Sequence, residues 1–577
     1  MIYLSAQPDT PYFMWQLEVQ LHNFASFGIS PDNIHILIGY DPVKGISSCF
    51  QDFTAANPHL ARFFFYPDTR LKRRYIPSIR PHIIKQHFFK HPELAQEAIF
   101  YHDSDIVFTS SLPDFEQLVQ GDTWYVSDAR HYLNSDYIRA AGQGVFTDMC
   151  RIMDIDEQLV IDNDANAGGA QTLLKNVDYT FWDQLESDSE KIFCLLIDNR
   201  DSYKKTYLEE NAGYETHYTP VQAWCSDMWA ILWNGFKRAE VRISGELDFC
   251  WPHESQDSWE KKKIFHNAGI SAAMSNRFFF KAYYMERTPY EDDFSHVASS
   301  MLSYNYVQMI YETAKGKRYN MQDVTFTMTV RVDSDERLEN LITVLRFINT
   351  HIDTNFLLLE ADVESRIPAG VLPDNVRHIF VKDERDLYFR QPYNNYLLRI
   401  ATTPIVVKYD VDIIVPPSQM NSAVNSIRFG KHKISYPYDG RFVDVYGVLR
   451  TWFIRTLDMK SFYKYLKMSY SPQPSYGGCV ILHRETFYEM GVDNEQFNGW
   501  GFEDQETPKR AKILGMEVFR ADGPLFHLHH PRGTHSYFYN EAETLNSLRE
   551  YIRVCNMTKN ELQLYISNWK NSTVHAY

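Results

Sequence analysis

Two stretches of the chain share one order of apolar and helical segments. The first opens with the apolar run MIYLSA (1–6), passes through the helical stretch PYFMWQLEVQLHNFASFG and reaches a second apolar run, NIHILIGYD. The second opens with VTFTMTVRV (324–332), passes through DERLENLITVLRFINTH and reaches NFLLLEADV. Apolar runs flanking a helical pattern predict strand, helix, strand, and strands this apolar predict a mainly parallel sheet covered on both faces. The expected fold class is α/β, once in each half. Residues 297–316, VASSMLSYNYVQMIYETAKG, predict a helix closed by a glycine. KGKRYNMQD then reads as a linker, which sets a boundary near 320 and domains 1–320 and 321–577. Residues 541–569 predict helices that pack back on the second half. The halves correspond in architecture and not as a close repeat, and no low-complexity tract interrupts them.

Length agrees with two domains, because a single core rarely grows beyond about 250–300 residues and the chain has 577. Formal net charge is -16. A protein that coats nucleic acid carries a basic footprint, and the one dense basic run is RLKRRY at 70–75. Nucleic acid is therefore disfavoured as a partner, with that patch keeping it open. Seven cysteines with no CxxC pair predict reduced thiols. The opening residues lack the basic flank of a signal peptide, and no run approaches the ~20 apolar residues of a membrane span. The expected location is cytoplasmic, with peripheral attachment at the inner membrane face left open.

Candidate chemistry sits at strand tips. EAIFYHDSDIVF runs an apolar strand into Asp103 and Asp105, and TPIVVKYDVDIIV runs another into Asp410 and Asp412. In open α/β sheets ligands bind beyond the carboxyl ends of strands. Two carboxylates there suit a hard cation such as Mn²⁺ or Mg²⁺. The chain has five D-x-D strings, so the string alone says little; the matched position in both halves singles out these two. GPLFHLHHPRG adds His527, His529 and His530, of which at least one is expected to ligate, with His527 favoured and His530 retained in the metal set. Strand alternation would put His527 and His529 on one face and His530 on the other. KKIFHNAG adds His266 in the first half. Glycine pairs at 168–169 and 477–478 allow close backbone approach to a bulky ligand, so Gly168 and Gly478 are candidate donor contacts. No P-loop string is present, which argues against an ordinary nucleotide triphosphatase.

The stretch FNGWGFEDQE (497–506) presses Glu503, Asp504 and Glu506 against Trp500 and Phe502. Carboxylates beside buried aromatic surface need a compensating ligand or a raised pKa. YDVDIIVPP, YGGCVILHRETFYEMGVDNEQFNGWGFEDQE and FHLHHPR together resemble the catalytic region of the beta-1,4-galactosyltransferases and of chondroitin-polymerase-type transferases. That resemblance implies the GT-A fold, UDP-sugar donors, Mn²⁺ and inversion at the anomeric carbon. It implies Asp504 as the base for an acceptor hydroxyl, desolvated by its aromatic surroundings, with Glu503 hydrogen-bonded to the acceptor and Trp500 and Phe502 at the acceptor sugar. TVRVDSDERLENL is similar to family 2 glycosyltransferases, which implies Arg331 and Asp333 near the nucleoside.

In the first half IFYHDSDIVF, NDANAGG and IFHNAG resemble family 8 type retaining glycosyltransferases, and PYFMWQ with VQAWCSDMWAI is similar to the plant peptidyl-serine galactosyltransferase and hydroxyproline arabinosyltransferase group. This implies Asp103, Asp105 and His266 as metal ligands and Asn166, Gly168 and Asp227 at the donor sugar, with retention. No residue there stands out as a nucleophile. The expected acceptor is a glycan or glycoconjugate, with a protein side chain or a modified DNA base as alternatives. A glycoside hydrolase, which also needs two carboxylates, and a carbohydrate-binding protein with one degenerate domain are the competing classes.

Overall fold

The computed structural model describes residues 1–71, 73–211, 218–429, 432–464, 474–497, 501–531 and 541–569. Backbone contacts divide the chain into two compact units, Met1–Met285 with Phe294–Thr313 and Glu286–Asp293 with Ala314–Tyr577.

The strands of the N-terminal unit are β1 (Ile2–Pro8), β2 (Ile34–Tyr40), β3 (Arg62–Pro67), β4 (Ile99–Tyr101), β5 (Ile106–Phe108), β6 (Trp124–Asp128), β7 (Gly168–Leu174), β8 (Val241–Ile243), β9 (Phe249–Cys250) and β10 (Ile264–His266). Seven form a sheet in the order β3-β2-β1-β4-β7-β6-β8. All its pairings are parallel except those of β7, which runs against β4 and β6. A small sheet, β5-β10-β9, stands beside it. Strand β2 shows why both faces are covered. Ile34, Ile36 and Ile38 pack with Phe24 and Phe50, while Leu37 packs on the other face with Ile79 and Ile83. Each such fully buried side chain contributes about 1.5–3 kcal/mol of hydrophobic stabilisation.

The C-terminal unit repeats this plan. Its strands are β11 (Tyr319–Val330), β12 (Ile352–Asp362), β13 (Val376–Lys382), β14 (Ile405–Tyr409), β15 (Ile413–Ile414), β16 (Ile434–Tyr436), β17 (Phe442–Val445), β18 (Cys479–His483), β19 (Val518–Arg520) and β20 (Leu525–Leu528). The large sheet runs β13-β12-β11-β14-β18-β16-β19, with β18 the reversed strand, and the small one runs β15-β20-β17. Two mainly parallel α/β sheets, one per unit, are what the GT-A resemblance implies.

Three expectations need adjustment. The helix expected over 297–316 occupies Leu302–Ala314, and the supposed linker KGKRYNMQD runs into β11, which begins at Tyr319. Gln322 to Val324 are bound sideways by Asn355, so polar residues there belong to the start of a strand. The strand carrying His527 stops at Leu528, so alternation does not extend to His529 and His530. The C-terminal helices Glu541–Cys555 and Lys559–Ser567 pack on the helix Glu503–Leu514. No helix among the described residues is long and apolar enough to cross a membrane.

Candidate metal and catalytic centres

In the N-terminal unit β4 ends at Tyr101 and the chain turns through Asp103 and Asp105 into β5. Strand β10 pairs antiparallel with β5 and sets His266 opposite Ile106, one residue past Asp105. Ligand atoms of Asp103, Asp105 and His266 consequently lie within 4.8 Å of one another. His266 Nε2 is 3.4 Å from Asp105 Oδ1 and 3.6 Å from Asp103 Oδ2. Its buried Nδ1 has no hydrogen-bond partner, and its ring lies parallel to Trp251. Two carboxylates and an imidazole, closely spaced and largely shielded, fit a divalent cation such as Mn²⁺. Cationic side chains hold the carboxylates here: Lys281 pairs with Asp105, and Arg80 bridges Asp103 and Asp227. Burial pushes Asp105 up, but Lys281 and His266 outweigh it and hold the group well below the usual carboxylate range.

Asp227 sits in the first turn of the helix Ser226–Phe236 and is buried. One carboxylate oxygen accepts from Tyr75 Oη at 2.7 Å and the other from Arg80. Asn166 Oδ1 accepts from Ile243 N at 3.3 Å at the sheet edge. Gly168 has a packing reason of its own, since a Cβ there would stand 2.4 Å from Ser127 O. It still lies at the start of β7, beyond the point where Tyr101 pairs with Thr172, and so at the same end of the sheet as Asp103.

The C-terminal unit builds its centre in the same register. Strand β14 leads into Asp410 and Asp412, and β20 sets His527 opposite Ile413, again one residue past the second aspartate. Asp412, His527 and His530 form the cluster, with ligand atoms within 4.8 Å. His530 Nε2 is 3.1 Å from Asp412 Oδ2, and His527 Nε2 is 3.9 Å from Asp412 Oδ1. Asp444 on the adjoining β17 holds His527 Nδ1 at 2.7 Å and orients the ring, as outer partners of metal-binding histidines do. His529 is exposed and outside the cluster, while His530 is inside it because the chain has left the strand. This donor set also fits a divalent cation. Asp410 is not in that cluster and pairs with Arg390. Burial pushes Asp410 up to about 6 against Arg390, with Asp412 and Asp504 adding to the rise. Burial also acts on Asp412, but the His530 hydrogen bond and the nearby His527 keep it well below the usual range.

The glycine pair and the acidic stretch meet beside these aspartates. Gly478 O accepts from Asp410 N at 2.8 Å, and Gly478 has φ +88°, a conformation that suits glycine. A Cβ on Gly477 would stand 2.6 Å from Asp504 Oδ2, so the glycine makes room for that carboxylate. Phe502 is left-handed at φ +60°, an uncommon state for a bulky residue that recurs at functional turns. The helix Glu503–Leu514 starts immediately after it, with Glu503, Asp504 and Glu506 in its first turn. Half-buried Glu503 is pushed up to about 8 by burial and by Asp504. Two acids of this stretch, Glu503 and Glu506, are thus raised by burial. The ring of Phe502 stacks on Tyr551 at 5.7 Å, which gives it a packing partner in the C-terminal helix. Trp500 lies outside the described residues.

Arg331 and Asp333 follow β11. Arg331 donates to Asp383 at 2.7 Å and to the carbonyls of Ala361 and Arg385, while Asp333 pairs with Arg337 at 3.0 Å. Sequence reasoning passed over Arg80, Arg390, Lys281 and Asp444. It also passed over a local device, an aspartate that accepts from the Nε and backbone N of the arginine two residues on, seen at Asp68 and Arg70, Asp128 and Arg130, Asp383 and Arg385, and Asp439 and Arg441. The D-x-R strings at 68–70, 128–130, 383–385 and 439–441 were its signal. Arg70, Arg73 and Arg74 of the basic run are engaged within the unit by Asp68, the Asp68 and Arg70 carbonyls, and Asp198.

Among curated proteins none matches the sequence. Three solved structures of glycosyltransferases are similar to part of the chain. The catalytic domain of Drosophila beta1,4-galactosyltransferase 7, in complex with xylobiose, is 15% identical with a TM-score of 0.26, over 44% of this chain and 84% of that one. GalNAc-T7 with UDP, GalNAc and Mn²⁺ is 12% identical with a TM-score of 0.28, over 42% and 50%. The mannosyltransferase PcManGT of Pyrobaculum calidifontis, in complex with GDP-Man and Mn²⁺, is 15% identical with a TM-score of 0.27, over 42% and 68%. Residues 458–532, which hold the second glycine pair, the acidic stretch and all three histidines, match the family model described as the N-terminal domain of galactosyltransferase. By that match the chain is a glycosyltransferase.

Proposed function

We propose that the chain is a bifunctional, metal-dependent glycosyltransferase that moves sugars from UDP-sugar donors to hydroxyls of a glycan or glycoconjugate, one centre per unit. The observation that carries this reading is the recurrence in both units of a strand-tip aspartate with a histidine in matched register, Asp105 with His266 and Asp412 with His527. Asp103, Asp105 and His266 would hold Mn²⁺ or Mg²⁺ in one, and Asp410, Asp412, His527 and His530 in the other. The chemistry such a cation supplies is neutralisation of the departing diphosphate.

In the C-terminal unit Asp504 takes the proton of the attacking hydroxyl, which leads to inversion. Glu503, protonated at neutral pH, donates a hydrogen bond to the acceptor. Trp500 and Phe502 bound the acceptor sugar, Gly478 lets the donor approach, and Arg331 and Asp333 flank the nucleoside. In the N-terminal unit Asn166, Gly168 and Asp227 face the donor sugar and transfer proceeds with retention. The contrast between helix-start acids supports this division. Both oxygens of Asp227 are engaged by Tyr75 and Arg80, so it is poorly placed to take a proton, whereas Asp504 lies against a bare glycine. A cytoplasmic location is supported by seven free cysteines.

The test is a donor screen with purified protein, UDP-sugars and Mn²⁺, reading UDP release. Asp504→Asn is expected to lower kcat at the C-terminal centre by about 10²–10⁴-fold while UDP affinity stays within about twofold. Unchanged turnover would remove Asp504 from its role.

A further inference from the structure

The acidic turn of the N-terminal unit is held by a helix that supplies no ligand. In the helix Pro11–Ser26, the Gln20 side-chain amide donates to Asp103 O at 2.9 Å and to Ile106 O at 3.0 Å. One turn later Asn23 donates to Phe108 O at 3.0 Å and accepts from Phe108 N at 2.8 Å. Residues three apart share a helix face, so both amides meet the same strand. Strand β5 is an edge of its small sheet, paired only with β10. Its second edge would otherwise present backbone groups with no ladder partner; Gln20 and Asn23 take that place. Gln20 is fully buried, so removing its donor leaves carbonyls unsatisfied away from water.

The corresponding turn of the C-terminal unit is held in another way. Tyr409 Oη donates to Ile413 O at 3.3 Å and accepts from Val415 N at 3.2 Å. One topology thus carries two independent braces. In the N-terminal unit Gln20 ties the entry of the turn at Asp103 to its exit at Ile106, and Asp105 lies between those anchors. We propose that Gln20 is a positioning residue that sets the spacing of Asp103 and Asp105 for a divalent cation, and that it acts on the N-terminal centre alone. This rests on the metal reading of that centre.

The experiment is a Mn²⁺ titration of the full chain, following the electron paramagnetic resonance signal of free Mn²⁺. The parent protein should bind two ions. Asp105→Asn should remove one site and Asp412→Asn the other. Gln20→Met keeps the bulk of the side chain and loses the donor. Placed beside Asp412→Asn, it should weaken the remaining site by about 10–100-fold, the usual cost of losing an outer support. Placed alone, it should leave the C-terminal site within twofold. Gln20→Asn, which keeps the amide and loses the reach, carries the same expectation if Gln20→Met unfolds. Unchanged affinity at the N-terminal site, or equal weakening of both sites, would overturn the proposal. If Asp105→Asn removes no site, the metal reading falls and the role of Gln20 with it.

Discussion

Asp103 and Asp410 each meet an arginine near the start of the helix before their strand. Arg80 lies 23 residues before Asp103 and Arg390 lies 20 before Asp410. Each arginine also senses the acid that opens a later helix, Asp227 in one unit and Asp504 with Glu503 in the other. At this scale the proton on Glu503 is open to measurement. On the proposed reading, Glu503, its pKa pushed up to about 8, would donate to the acceptor below that pH and lose the ability above it. Turnover at the C-terminal centre should therefore fall on the alkaline side near pH 8. Glu503→Gln, which cannot ionise, should lose that limb in a pH–kcat profile. An unaltered profile would place the ionisation elsewhere. The clustering of Asp103 and Asp105 with His266, and of Asp412 with His527, was legible because an apolar strand ending in acids is a local pattern, whereas Asp410 lies outside its cluster. Arg80, Arg390 and Lys281 were not, because helical arginines and lysines are common and only the fold selects the ones that reach a strand tip.

The helix Glu503–Leu514 shows how one element fixes a row of acids. Glu506 and Arg510, one turn apart, are both buried, with Arg510 Nε 3.1 Å from Glu506 Oε1. Arg510 also donates to the carbonyls of Met490 and Val492 and lies under the Trp569 ring. The pair fastens the helix, and Glu506 lines a polar cavity together with Glu503, Asp504, Arg390 and Lys408. Burial pushes Glu506 up to about 7 against the pull of Arg510. The folded protein thus holds a proton that the unfolded chain releases near the ordinary value of 4.5, and stability falls as pH rises between the two. Thermal midpoints measured from pH 5 to pH 8 should decline in the parent protein and decline less steeply in Glu506→Gln. Parallel slopes would mean that Glu506 does not titrate in this range. The sequence reading expected the desolvated acid to be Asp504, whereas burial raises Glu503 and Glu506, because desolvation depends on elements packed against the helix that the sequence does not place. The histidine face was misjudged for a related reason: alternation holds only while the strand lasts, and β20 stops at Leu528.

At the scale of the molecule, two units share one strand order and one ligand register. The recurring strand, helix, strand pattern was visible at the start of each half, whereas the shared seven-strand order was not, since its strands β4, β8, β16 and β19 are only three residues long. If both centres work on one product, an intermediate released by the first meets a high local concentration of the second. An equimolar mixture of Asp105→Asn and Asp412→Asn proteins should then form two-sugar product more slowly than the parent chain at equal site concentration. Equal rates would separate the two activities.

The spacing of the ligands has a consequence for biogenesis. Asp103 and His266 are brought together by pairing of β5 with β10, and every proposed N-terminal ligand precedes the first proposed C-terminal one at Asp410. On the proposed metal reading, a ribosome that has extruded the first unit has therefore exposed a complete ion-binding set before the second set has been translated. Ion capture can stabilise the leading half while the trailing half is still being made.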